Sequence, residues 1–84
     1  MSNQFTSGVA VGTDLAVYKA VKRTVVRENG LMVDFKSPFG EETRKLIQVS
    51  VDEYSDWLNG TPIQYAMPNL SADDRELFLT GMSW

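Results

Sequence analysis

The spacing of apolar residues changes at Ser50, and that change limits the folds open to the chain. Up to that point Ile47, Val49 and Val51 alternate with Gln48 and Ser50, the two-residue period of a strand with one buried face. Beyond it Val51, Tyr54, Trp57 and Leu58 fall at helical spacing. Ser50 and Glu53 form a capping box at the boundary, each satisfying a backbone amide of the other's turn. The helix so begun runs from Val51 to Leu58 and ends at Asn59-Gly60, with Gly60 as a left-handed cap. Pro62 opens a short helical turn over residues 63–66, and Pro68 closes it. Ser71 caps a last helix, with Asp73 and Asp74 in its first turn and Gly81 after its end. Trp57, Ile63, Leu70 and Leu77 are expected to form one small core, with Phe78 beside them.

The first half reads as strands. Asn29-Gly30 separates two β-rich runs, which suits a two-residue type I′ turn. That register pairs Glu28 with Leu31, Val26 with Val33 and Thr24 with Phe35. Val26, Leu31, Val33 and Phe35 then share the core face, and Arg23, Val25, Arg27, Met32 and Asp34 share the other. Residues 37–43, with Pro38 and Gly40, read as a loop. A third strand is expected over residues 45–50. Residues 14–21 suit either a short helix or the start of a long strand, and the β-branched residues that follow favour the strand. Residues 1–13 are small and polar, as in a flexible arm or an edge segment. The expected fold is therefore α+β in a single domain of 84 residues. A three-stranded antiparallel meander over residues 18–50 carries two or three short helices, residues 51–81, on one face.

Composition removes several function classes. Hydrophobic content of 43% and charged content of 23% are those of an ordinary globular chain. With no Cys and no His, there is no disulfide framework, no zinc site of the usual kind and no triad with a His base. No Gly-x-Ser-x-Gly elbow and no phosphate loop occur. Neither an enzymatic activity nor a cofactor is expected. Residues 1–5 show no basic region or apolar run, so no secretory leader is expected, and no apolar stretch is long enough to span a membrane. The expected location is cytoplasmic.

Residues 57–81 carry a further pattern. Trp57, Gly60, Ile63-Gln64, Ala66, Pro68 and the run Leu70-Ser71-Ala72-Asp73-Asp74-Arg75-Glu76, followed by Thr80-Gly81, resemble the carboxyl-terminal signature of small bacteriophage proteins of no assigned activity. Such proteins occur in single-stranded DNA microviruses and in tailed phages. The resemblance implies a phage origin, and with it action inside a host cell or a place in the virion. Phage genes of this size often encode host-takeover or anti-defence inhibitors, so the resemblance points to a non-enzymatic protein that binds a host or viral protein.

Charge suggests where. Residues 1–50 hold seven basic and five acidic side chains, whereas residues 51–84 hold Arg75 and six acids. Helix caps and turns account for most of residues 51–81. Those duties leave Gln64, Arg75 and Glu76 unexplained, and with the carboxylates Asp52, Asp56, Asp73 and Asp74 they form the candidate partner-binding set. Asp73 and Asp74 also suit the positive end of a helix dipole, and Arg75 is expected to pair with Asp56 or Asp74. Asp52 and Asp56 lie four residues apart, but no third ligand is indicated and no metal is expected. Two other readings stand beside this one. A structural or self-assembling virion protein would use residues 1–13 to dock on a second copy. A single-strand nucleic-acid binder would use Arg23, Arg27, Arg44 and Lys45, although a pI near 4.7 and the lack of an aromatic on that sheet face argue against it.

Overall fold

A computed structural model describes Thr6 and residues 8–82. It is an α+β fold with four strands in sequence order: β1 (Asp14–Leu15), β2 (Val21–Arg27), β3 (Gly30–Lys36) and β4 (Glu42–Ile47), all antiparallel. Three helices follow: α1 (Val51–Leu58), α2 (Ile63–Ala66) and α3 (Ala72–Thr80).

The fourth strand corrects the three-stranded expectation. Asp14 pairs with Val25 and Leu15 with Thr24, so the segment before Val21 turns back along β2 as its own short strand. Gly12 N–H donates to Val26 O at 2.8 Å and Val26 N–H to Thr13 O at 2.9 Å, which extends the contact toward the amino terminus. Of the arm expected over residues 1–13, residues 1–5 and 7 lie outside the described residues.

The β2–β3 hairpin shows a second correction. Val26 pairs with Leu31, not Val33, and Arg27 with Gly30. The turn residues are therefore Glu28 and Asn29, and neither has the positive φ that a type I′ turn requires. Gly30 opens β3 instead, at φ +145°, and a Cβ there would lie 2.2 Å from the Ile47 carbonyl oxygen. The glycine is needed for that close backbone approach rather than for the turn. Because the offset is two residues, side-chain faces survive. Val26, Leu31, Val33 and Phe35 are all fully buried. A bulge between Val21 and Arg23 changes the alternation, so Val21 joins the core and Lys22 stays exposed.

The last strand begins three residues before its expected start at Lys45. The buried Ser37 hydroxyl accepts from the amides of Phe39 (3.2 Å) and Glu41 (3.1 Å), and Ser37 N–H donates to Glu41 O. The loop is thus closed by Glu41, and Glu42 already pairs with Lys36. At the other end Val49 N–H donates to Ile47 O at 2.9 Å, a three-residue turn that takes the chain off the sheet. Val49 and Val51 still reach the core.

The helical half follows the sequence pattern closely. Both bonds of the capping box form at Ser50 and Glu53. At the other end of α1, Thr61 N–H donates to Asp56 O and Gly60 N–H to Trp57 O, with Gly60 at φ +105°. That is the Schellman arrangement. The Ser71 hydroxyl accepts from Asp74 N–H, and Gly81 ends α3 in the left-handed region. All helices serve one face of the sheet. Phe78 meets Phe35 edge-on at 5.0 Å and Trp57 at 5.2 Å, and Tyr54 lies against Trp57 at 5.8 Å. Trp57, Ile63, Leu70 and Leu77 belong to the same continuous core as the sheet residues. Tyr54 also carries a polar tie: its hydroxyl donates to Ala16 O at 2.5 Å and meets Thr24 Oγ1 at 2.9 Å, joining α1 to the first two strands.

Candidate interaction surface

With the helices on one side, the other side of the sheet is open. Its side chains fall into rows set by strand register. Val25, Met32 and Leu46 stand side by side across β2, β3 and β4. The neighbouring row is Arg23, Asp34 and Arg44. Arg27 lies opposite Gly30 on the far side of the apolar row. Val25 is buried by its neighbours at 7% exposure, while Leu46 is 37% exposed. Together Arg23, Val25, Arg27, Met32, Asp34 and Arg44 line a cleft of about 150 Å³.

The charged row is pre-organised. Arg44 donates from Nε to Asp34 Oδ1 at 2.7 Å and from Nη2 to Oδ2 at 3.2 Å, a two-point contact. That hydrogen bond holds the Asp34 carboxyl below its usual range and raises Arg44. Arg23 Nε donates to Asp14 Oδ1 at 3.1 Å, across the β1–β2 pair. Arg27 makes no ion pair among the described residues. The structure therefore brings Arg23, Arg27 and Arg44 together, as the nucleic-acid reading required. Lys45 points to the other side, where its Nζ donates to Asp74 Oδ1 at 2.5 Å.

The carboxylate set is divided. Asp52 and Asp56 are exposed on α1, and Asp73 is exposed on α3. Asp74 is taken up by Lys45, which ties the start of α3 to β4. Glu76 accepts from the Thr80 hydroxyl at both its backbone oxygen (3.0 Å) and its side chain (3.2 Å). Arg75 was expected to pair with Asp56 or Asp74, and it pairs with neither. Asp74 faces Lys45, and Arg75 Nε is buried without a hydrogen-bond partner among the described residues. Gln64 is exposed on α2 and lines a groove of about 300 Å³ with Tyr18, Trp57 and Ile63.

Two features of the surface escaped the sequence. The Arg44–Asp34 ion pair follows from the β3–β4 register, which no local signal in the chain sets. Lys19, Lys22 and Lys36 gather with Thr80 around a groove of about 470 Å³ near the carboxyl end of α3, where cations complement the helix dipole. Among the described residues no group of three or more His, Cys, Asp or Glu is placed to hold a metal ion. Nor is any helix among them long and apolar enough to cross a membrane. No protein-family model, characterised protein or solved structure matches the chain.

Proposed function

We propose that this chain is a small phage-encoded, non-enzymatic protein that acts by binding another protein, and that the open sheet face is its contact surface. The observation that supports this most is the apolar row Val25–Met32–Leu46 set between arginines whose positions are fixed by strand register and, for two of them, by carboxylates. Arginine and methionine are enriched at protein interfaces, and a flat apolar strip with a charged rim is their usual setting. Arg27, which makes no ion pair among the described residues, would meet an acidic group on the other protein and help steer it. The carboxylates Asp52, Asp56 and Asp73 would set the polarity of the opposite side. The nucleic-acid reading draws on the same arginines. It is the weaker of the two, because Asp14 and Asp34 offset Arg23 and Arg44 and the rows hold no aromatic for bases to stack on.

Affinity capture from host lysate, quantified by mass spectrometry, tests the surface. The variants Met32→Asp and Arg27→Glu should lose a specific partner, while reversal of Asp73 and Asp74 to Lys should retain it. Loss with the reversed acids and retention with the sheet-face variants would move the contact surface to the helices.

A further inference from the structure

β4 is the edge of the sheet, and its outward backbone groups can be identified. Lys36 N–H donates to Ala20 O, and Val26 exchanges hydrogen bonds with Gly12 and Thr13. Antiparallel ladders alternate, so the even-numbered residues of β3 address β2 and the odd-numbered ones address β4. Leu31, Val33 and Phe35 thus bond with Ile47, Lys45 and Thr43. The N–H and C=O groups of Glu42, Arg44 and Leu46 point away from the sheet, and none of them meets a backbone partner outside it among the described residues. Such an edge is a template for another strand unless its side chains forbid it.

Here the side chains select one partner. We propose that β4 pairs antiparallel with β4 of a second copy of this chain, with Thr43 opposite Thr43 of that copy. A two-fold axis perpendicular to the sheet keeps outer faces on the same side, and the residue on the axis fixes every other pair. An axis at Glu42 sets Glu42 against Glu42. One at Arg44 sets Arg44 against Arg44, and one at Lys45 sets Lys45 against Lys45. Like charges directly opposite are destabilising. An axis at Leu46 falls at the end of the strand, where the chain leaves the sheet after Ile47 and Asn69, Leu70 and Ser71 border Lys45 and Leu46. The axis at Thr43 opposes Glu42 to Arg44 and Glu41 to Lys45, each pair twice by symmetry, with two threonines at the centre. It also places the outward backbone of Glu42 opposite the outward backbone of Arg44, the alignment in which both bonds of a pair form. Arg44 uses Nε and Nη2 on Asp34, which leaves Nη1 for Glu42 of the second copy. The charges that block other registers complete this one. The pairing extends the sheet through both copies and sets their open faces side by side.

An interface of one short strand is small, so the dimer should be reversible. In sedimentation equilibrium at low salt, the weight-average mass should rise from monomer toward dimer between about 10 µM and 1 mM. Glu42→Arg and Arg44→Glu should each stay monomeric over that range, since each places like charges opposite one another. An equimolar mixture of the two should dimerise, because each variant then meets the opposite charge. Independently of any variant, amide exchange at Glu42 and Arg44 of the wild-type chain should slow with concentration, and exchange at Thr43 and Lys45 should not. A wild-type chain that stays monomeric to about 1 mM with unchanged exchange at Glu42 and Arg44 overturns the proposal. A mixture no heavier than its components, or single variants that dimerise like the wild type, overturns the register.

Discussion

At the scale of single residues, Tyr54 does the most to join the two halves. Its ring lies in the core and its hydroxyl bridges Ala16 O and Thr24 Oγ1. Tyr54→Phe keeps the ring but leaves the buried Thr24 hydroxyl and the Ala16 carbonyl without their shared partner. It should cost about 1–3 kcal/mol, read as a lower urea midpoint at unchanged slope. Burial raises the Tyr54 pKa, with the Thr24 hydrogen bond opposing the shift. A raised pKa means that the folded state keeps a proton the unfolded state releases above about pH 10. Stability from this group is therefore complete below about pH 10 and declines as pH rises toward the folded value. In parallel urea titrations the margin of wild type over Tyr54→Phe should shrink as pH rises above about 10. Gly30 and Gly60 make a second comparison. A Cβ at Gly60 meets nothing within 4 Å, so Gly60→Ala should cost only backbone strain, about 1 kcal/mol. Gly30→Ala drives a Cβ into the Ile47 carbonyl and should cost at least twice as much, with exchange protection lost first along β3 and β4.

Elements differ in how far local sequence fixes them. The helices were legible from Ser50 to Gly81 because caps act within one turn: a hydroxyl, a glycine or a proline within a few residues decides where each begins and ends. Ser50→Ala and Ser71→Ala should each cost about 1 kcal/mol, and their effects should add, since the caps lie on different helices and share no partner. Thermal unfolding of the two single variants and the double variant measures this. Strand limits were less legible because they rest on distant contacts. Gly30 resembles a turn residue until the Ile47 carbonyl lies over it. Ser37 gives no local sign that its buried hydroxyl will close the loop by Glu41. Face assignment survived both shifts, so Arg23, Arg27 and Asp34 were placed together from sequence. Arg44 was grouped with Arg23 and Arg27 from sequence as well, but its pairing with Asp34 rests on the β3–β4 register, which no local signal sets. Arg75 defied the pairing expected for it because Lys45, remote in sequence, takes up Asp74.

For the whole molecule, the question is whether the sheet and the helical half form one cooperative unit. Small domains have little core to divide, and here a single cluster runs from Val26 and Phe35 through Tyr54 and Trp57 to Phe78. Phe78 is its junction, in edge contact with Phe35 on the sheet and with Trp57 on α1. Removing that ring deletes contacts to both layers at once, and Phe78→Ala should cost about 3–5 kcal/mol. Domains of this size have about 5–15 kcal/mol in total, so the variant should be close to unfolding at 37 °C. Phe78→Leu keeps most of the volume and should remain folded at a cost nearer 1–2 kcal/mol, which separates loss of packing from loss of the fold. If the cluster is one unit, NMR signals from the Val26 methyls in the sheet and from Leu77 in α3 should vanish at the same urea concentration in wild type and in Phe78→Leu. Separate midpoints in the variant would instead mean that the helical half unfolds from a sheet that persists. The contact surface proposed for that sheet would then outlast the helices.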